Sequence, residues 1–172
     1  MELKNILEAV LFSSSRPVNA RQISKKLEEF SVHDIENGFK LLIADFQGPE
    51  RSVEIVEVAG GYQMRTKVEY RDFVKRFVKE KDVGLSRSML ETLSIIAYKQ
   101  PVTKKDIDAV RGVDSARAIK HLLTRRFIEI AGRNGDAGKK IAFRTTAKFL
   151  EVYGLKTLDD LPTYKEIESL EG

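Results

Sequence analysis

The spacing of apolar residues along the chain switches between a helical period and a strand period. An opening helix is indicated by apolar positions that recur every three or four residues, namely Leu3, Ile6, Leu7, Val10 and Leu11. Pro17 ends that pattern, and Asn19 with Gln22 forms a capping box for a second helix. Ser31 with Asp34 begins a third helix in the same way. Three successive short helices are therefore predicted before any strand.

The next segment alternates with period two, as a half-buried strand does. SVEIVEV and YQMRT flank the pair Gly60-Gly61, and this arrangement predicts a β-hairpin that turns at the two glycines. A further helix closes this first unit, with a stripe of apolar residues that we expect to be buried: Tyr70, Phe73, Val74, Phe77 and Val78. The predicted order is three helices, a hairpin and a helix.

The same order then recurs in the second half of the chain. Ser88 and Glu91 suggest a capping box, Pro101 breaks the helix, Thr103 caps the next one and Gly112 ends it. A third helix is followed by the strand FIEIA, the loop GRNGDAGKK, the strand IAFRT and the helix TAKFLEVY. The motif PVN at residues 17–19 matches PVT at residues 101–103, which indicates a tandem duplication.

Three helices followed by a two-stranded wing are typical of the winged variant of the helix-turn-helix. The predicted fold class is mainly α with small β-hairpins, organised as tandem winged-helix domains. We expect an N-terminal domain over residues 1–80, a C-terminal domain over residues 84–154 and an acidic tail over residues 155–172, with a charged linker near residues 79–82.

The two copies differ in net charge. Residues 1–80 hold 13 Lys/Arg and 13 Asp/Glu, whereas residues 81–153 hold 15 and 8. Residues 154–172 hold 2 and 5, so the tail is acidic. The positive charge of the second copy is suited to a nucleic acid or to an acidic protein partner.

Composition excludes several classes of function. The chain has no cysteine and only two histidines, so disulfides and thiolate metal sites are excluded and a zinc centre is not expected. Its apolar runs are shorter than the roughly 18 residues of a membrane span, and acids within the first apolar pattern favour a helix over a signal peptide. No nucleophile–base set emerges, and GRNGDAGKK lacks the spacing of a phosphate-binding loop. We expect no enzyme activity and no cofactor.

Two stretches resemble a known protein family. The segment LETLSIIAYKQPVTKKDIDAVRGVDS (residues 90–115) and the closing YGLKTLDDLP (residues 153–162) are similar to the segregation and condensation protein B (ScpB) family. This resemblance implies two winged-helix domains, a homodimer and no catalysis. It also implies assembly with the kleisin ScpA and an SMC ATPase, in the bacterial cytoplasm at the nucleoid, for chromosome condensation and segregation. The role of the chain after Pro162 is left open.

Candidate partner-binding residues lie mainly in the second copy. They come from the turn before Pro101, the turn between the second and third helices, the outward face of the third helix and the wing: Tyr98, Lys99, Gln100, Arg111, Arg117, Lys120, Arg125, Arg133, Lys139 and Lys140. Three interpretations of the basic residues stay open, namely a solvated face, an acidic protein partner and the DNA backbone. For the turn, a simple helix stop explains Pro101 and Thr103 without a partner.

The neutral first copy is the candidate for self-association, because like-charge repulsion would oppose pairing of the second copy with itself. Its large apolar residues Phe12, Phe30, Phe39 and Phe46 are the dimerisation candidates. The alternative function is a winged-helix DNA-binding transcriptional regulator, and weak nonspecific DNA contact is compatible with either function.

Overall fold

The computed structural model describes residues 2–78, 84–134 and 140–170 of the chain. The chain divides into two compact units. Unit 1 combines Met1–Lys81 with Gly154–Gly172, and unit 2 is Asp82–Tyr153. The charged linker predicted near residues 79–82 lies outside the described residues.

Unit 1 begins with three helices and a hairpin, in the predicted order. Its elements are α1 (Leu3–Ser13), α2 (Ala20–Ser24), α3 (Val32–Asp45), β1 (Val53–Val58), β2 (Gly61–Thr66), a 3-10 turn (Val68–Tyr70) and α4 (Arg71–Val74). The capping boxes of Asn19 with Gln22 and of Ser31 with Asp34 both form, so the first turns of α2 and α3 begin as predicted.

The core of unit 1 consists of the apolar stripes of these helices, closed on one side by the hairpin. Leu7, Ile35 and Phe39 are fully buried, and Ile55 contributes from β1. Phe39 stacks on Tyr62 of β2 with ring centroids 4.0 Å apart, so the hairpin is fastened to α3 by an aromatic pair.

The turn of the hairpin lies one residue earlier in the chain than the sequence predicted. Val58 pairs with Gly61, so the two turn residues are Ala59 and Gly60 rather than the two glycines. Both have positive φ, 51° and 70°, which is the combination that a type I′ turn requires. Gly61 is instead a strand residue, and a Cβ there would approach the Val18 backbone to 3.0 Å.

Unit 2 repeats this layout. Its elements are α5 (Arg87–Lys99), β3 (Val102–Thr103), α6 (Lys104–Arg111), α7 (Ala116–Thr124), β4 (Ile128–Asn134), β5 (Lys140–Thr145) and α8 (Ala147–Tyr153). Thr103 caps α6 as predicted, and Gly112 ends it with φ +71°. The expected capping box of Ser88 with Glu91 is wrong, because Ser86 is the residue that caps α5.

The sheet of unit 2 has a third strand that periodicity did not predict. β3 pairs with β5, which in turn pairs with β4, in the order β3-β5-β4. Two residues are too few to display a period, so only the fold shows this strand. Unit 1 has its counterpart in a single bridge between Val18 and Tyr62. The core beneath the sheet of unit 2 includes Ile96, Ile107 and Leu122, which are fully buried.

The chain after α8 returns to unit 1. Residues 154–161, here called the strap, contain a 3-10 turn (Leu158–Asp160) and precede α9 (Tyr164–Leu170). The Ala59 N–H donates to the Leu155 carbonyl oxygen at 2.8 Å, and Lys156 Nζ lies 2.8 Å from Glu57 Oε2. The sequence treated residues 155–172 as a separate acidic tail, whereas the contacts of the strap are with the hairpin of unit 1.

The described part of the chain is thus mostly helical, with one two-stranded and one three-stranded antiparallel sheet. This confirms the mainly α class with small β-hairpins.

Candidate functional site

The outward side of α7 is strongly basic. Ala118, Ile119 and Leu122 are buried, which turns the exposed side chains of Arg117 and Lys120 toward solvent. Together with His121 and Arg125 we call these residues the basic α7 face. The sequence of α7, ARAIKHLLT, has no acidic residue. Among the described residues no carboxylate forms an ion pair with Arg117 or Lys120. Arg117 and Lys120 can therefore bind an anionic partner without first breaking an ion pair to another described residue.

Arg125 contributes to the fold as well as to this face. Its Nη1 donates to the Gly84 carbonyl oxygen at 2.7 Å, which holds the segment before α5 against the end of α7. A variant at Arg125 would therefore change unit 2 internally. Arg117 and Lys120 are the cleaner positions for testing the surface.

The turn before Pro101 contains both surface and internal residues. Tyr98 is 46% exposed and Lys99 is exposed. Gln100 is half-buried, and its Oε1 accepts from the Thr145 N–H at 2.8 Å and from Thr145 Oγ1 at 3.1 Å. Gln100 thus ties the end of α5 to β5, and its expected contact with a partner stays a prediction.

Arg111 is likewise an internal residue. Only 7% of its side chain is exposed, and Nη2 donates to Ser88 Oγ at 3.0 Å and to Glu91 Oε2 at 3.2 Å. Its Nε and Nη1 are buried and have no hydrogen-bond partner among the described residues. Arg111 therefore joins the end of α6 to α5, which corrects its assignment to a partner-binding surface.

The candidate residues of the predicted wing are only partly described. Arg133 lies in β4 opposite Ile141, and Lys140 begins β5 opposite Asn134. Lys139 lies outside the described residues. A role for these three cations in binding stays a prediction.

The dimerisation candidates of unit 1 divide into surface and core residues. Phe39 and Phe46 are buried, 0% and 5% exposed, so their assignment to an interface is wrong. Helical spacing cannot distinguish a core stripe from an interface stripe, because both require apolar residues on one face. Phe30 is half-buried against the core, whereas Phe12 is 82% exposed.

Two further aromatic residues are exposed where the sequence predicted burial. Phe73 in α4 is 61% exposed, and Phe77 just beyond it is 89% exposed. The helix expected there ends at Val74, and its apolar stripe does not close the unit. Phe12, Phe73 and Phe77 are here called the exposed phenylalanines, and a role for Phe12 in dimerisation stays a prediction.

A small polar network stabilises the turn between α6 and α7. Asp108 accepts from the Ser115 N–H at 2.8 Å and from Lys104 Nζ at 2.5 Å, and Lys104 also contacts Asp114. Hydrogen bonds from Lys104 and Ser115 lower the pKa of Asp108 to about 2. The carboxylate stays charged at neutral pH and serves as an anchor for the start of α7.

The described residues contain no cluster of three or more His, Cys, Asp or Glu side chains that could hold a metal ion. Among the helices described, none is long and apolar enough to cross a lipid bilayer.

Comparison with known proteins gives the family. A sequence model described as "Segregation and condensation complex subunit ScpB" matches residues 5–164. The chain belongs to this ScpB family. The sequence-based resemblance is thereby confirmed over both units and the strap.

Two named relatives agree with this assignment. The segregation and condensation protein B of Syntrophotalea carbinolica is 39% identical over 99% of this chain and 86% of its own length. That of Symbiobacterium thermophilum is 42% identical over 92% of this chain and 72% of its own. A solved structure titled "Crystal Structure of ScpB from Mycobacterium tuberculosis" is 32% identical, with coverage of 90% of this chain and 96% of that one and a TM-score of 0.41.

Proposed function

We propose that this chain is a non-catalytic subunit of the bacterial SMC–kleisin complex. It forms a homodimer and binds the kleisin ScpA, and through ScpA it joins an SMC ATPase in chromosome condensation and segregation. The observation that carries the proposal is the match of residues 5–164 to a family described as a complex subunit. That match includes both units, so the function of the family is expected of the whole chain. Its place in the cell is then the cytoplasm, at the nucleoid.

Each unit is proposed to be a winged helix. Support comes from the repeated order of three helices and a hairpin, and from the short third strand that pairs with the hairpin in unit 2. The Val18–Tyr62 bridge takes the same place in unit 1. Winged helices present a helix and a wing on one side, which is suited to binding a partner without any catalytic centre.

Self-association is assigned to unit 1. With residues 154–172 included, unit 1 holds 16 Lys/Arg and 18 Asp/Glu, a net charge of −2, whereas unit 2 holds 14 and 8, a net charge of +6. Two copies of unit 1 therefore repel each other less than two copies of unit 2 would. The exposed phenylalanines supply apolar area of the kind enriched in the buried centre of interfaces. The dimer would have two-fold symmetry, because a single patch then buries itself against its copy.

The kleisin is assigned to the basic α7 face of unit 2. Arg117 and Lys120 are exposed and lack internal ion pairs among the described residues, so they can pair with carboxylates of a partner helix. Tyr98 lies in the same unit and offers an exposed aromatic contact.

The test is co-purification of ScpA with the full chain and with the variant Arg117→Glu/Lys120→Glu. We expect the variant to remain dimeric by light scattering and to lose most of its ScpA. A matched control is Lys40→Glu, which reverses an exposed cation on the equivalent helix α3 and should retain ScpA. Full ScpA binding by the double variant would refute the assignment to unit 2, and absence of any ScpA or SMC chain from a cytosolic pull-down would refute the function.

One observation favours a second function, that of a winged-helix DNA-binding regulator. The α7 sequence is basic and has no acidic residue, as a helix that approaches phosphates should be. This function predicts sequence-specific DNA binding that persists at about 100 mM salt and is lost in the Arg117→Glu/Lys120→Glu variant. Binding that is absent at this salt concentration would remove it.

A further inference from the structure

We propose that the free edge of β1 in unit 1 is a docking site for an extended peptide segment of a partner protein. The segment would add to the hairpin as a third strand, with apolar side chains at alternate positions and carboxylates at one end. This edge belongs to unit 1, whereas the basic α7 face belongs to unit 2, so the two sites can be tested separately.

The register leaves one row of β1 backbone groups unpaired. The Lys67 N–H donates to the Ser52 carbonyl oxygen at 3.0 Å, and Val58 pairs with Gly61, so even-numbered residues of β1 bond to β2. The N–H and C=O groups of Val53, Ile55 and Glu57 therefore point away from β2. No backbone partner for these three residues is present in the described part of the chain.

The strap bonds to the hairpin just beyond one end of this edge. Ala59 is a turn residue, and its N–H donates to the Leu155 carbonyl oxygen. Among the described residues the strap makes no backbone hydrogen bond to Val53, Ile55 or Glu57, so the edge within β1 is left open. Unpaired edge groups of this kind are the feature that strand addition uses for main-chain affinity.

A groove runs along the same edge. Its volume is about 650 Å³, within the range of ligand-binding clefts. Four consecutive β1 residues, Glu54 to Glu57, line it, with the strap at one end. The apolar part of the lining comes from Ile43 of α3, from Phe46 just after α3 and from Ile55. Because alternate side chains of an added strand face the same side, every second residue of the peptide would contact this apolar lining.

Charge distinguishes the two ends of the groove. Arg65 pairs with Glu54 at 2.8 Å and Lys156 pairs with Glu57 at 2.8 Å, and Asp160 adds a further carboxylate at the strap end. At the other end Lys67 Nζ donates only to the Gly48 carbonyl oxygen, and Arg51 lies over the Phe46 ring. Neither of these two cations has a carboxylate partner among the described residues. A peptide with carboxylates at that end is therefore complementary.

The experiment uses the full chain and a synthetic peptide of alternating valine and threonine that ends in two glutamates. Binding should slow amide exchange at Val53, Ile55 and Glu57, as measured by NMR. A peptide ending in two lysines should bind more weakly, because it meets Lys67 and Arg51. A peptide that is N-methylated at alternate residues should not bind, because it cannot donate along the edge.

A matched pair of variants distinguishes the contribution of the residue 53 backbone N–H to peptide binding from that of its side chain. Val53→Pro removes an outward N–H while leaving the β1–β2 bonds intact, and Val53→Thr keeps that N–H. We expect Val53→Pro to weaken binding about three- to tenfold, as the loss of one hydrogen bond does, and Val53→Thr to bind like the natural chain.

Three outcomes would overturn the proposal: no slowed exchange on the β1 edge at about 1 mM peptide, equal binding by the two variants, or protection of α7 in place of β1. If Val53→Pro does not fold, the N-methylated peptide decides the question on the natural chain. The proposal would also be refuted if amide exchange in β1 slowed with rising protein concentration and not with added peptide. That result would assign the edge to a second copy of the chain.

Discussion

The backbone N–H of Ala59, at the tip of the hairpin in unit 1, donates a 2.8 Å hydrogen bond to the carbonyl oxygen of Leu155, beyond the end of unit 2. Both residues belong to one compact unit, although all of unit 2 separates them in sequence. We therefore expect the hydrogen bonds of the strap and of the hairpin tip to break in the same local unfolding event.

Deletion of residues 154–172 tests this relationship. We expect the Ala59 amide to lose its protection from hydrogen exchange, because its acceptor and the neighbouring Glu57–Lys156 ion pair are removed. Amides of Ile96 and Leu122 in the core of unit 2 should keep theirs. Equal loss in both units would contradict the grouping of the strap with unit 1.

Phe39 and Phe12 should respond oppositely to truncation. Phe39→Ala leaves a cavity under the hairpin and removes the stack on Tyr62, so we expect a loss of about 3–5 kcal/mol in the free energy of unfolding. Phe12→Ala changes an exposed side chain and should stay within about 0.5 kcal/mol. Urea denaturation of both variants gives the comparison.

The exposed position of Phe12 also allows a test of self-association. We expect Phe12→Ala to lower the fraction of dimer at micromolar concentration, as measured by sedimentation, and to leave the fold unchanged. An unchanged dimer would direct attention to Phe73 and Phe77, the other exposed phenylalanines.

Asp108 gives unit 2 a specific dependence on pH. Its pKa is about 2 in the folded chain, below the ordinary value of 3.8, because Lys104 and Ser115 hydrogen-bond the charged form. Its stabilising effect is thus complete above about pH 4 and is lost as the pH falls through 2. Other carboxylates also titrate in this range, so the measurement is the difference between the natural chain and Asp108→Asn.

We expect Asp108→Asn to be less stable at pH 7 and the two chains to converge toward pH 2. Thermal melts at a series of pH values, followed by an amide signal within α7, report this. A stability difference that stays constant from pH 7 to pH 2 would contradict the proposed anchoring role.

We expect Gly112 to affect the stability of unit 2 only through its backbone conformation. Its φ of +71° ends α6 in the left-handed region, and a Cβ placed there would meet no atom within 4 Å. Gly112→Ala should therefore cost about 1 kcal/mol of unfolding free energy from conformational strain, without a steric clash. Gly112→Asn should cost less, because Asn tolerates this region better.

Periodicity and capping residues predicted much of the fold for local reasons. Asn19, Ser31 and Thr103 begin their helices as expected, because a cap depends on neighbours within a few residues. The hairpin turn was misplaced by one residue because Gly60-Gly61 offers two possible turns, and only the register with the core on one face selects between them.

The candidate sites were harder to predict, because contact residues depend on what lies opposite them in space. Arg117 and Lys120 are exposed as expected, since the helical period of α7 fixes its outward face. Arg111 and Gln100 were predicted to contact a partner, yet Arg111 bonds to Glu91 and Gln100 to Thr145 within unit 2. Local patterns cannot show a bond between residues that are distant in sequence.

The sequence by itself determined the repeated order of helices and hairpins, the unequal charge of the two copies and, through its resemblance to known relatives, the family. These properties are written in local spacing and residue type. Only the tertiary structure decided that Phe39 and Phe46 are core while Phe12, Phe73 and Phe77 are exposed, and that residues after Gly154 return to the first unit. Burial and long-range hydrogen bonds depend on which surfaces meet, and no local pattern in a chain specifies that.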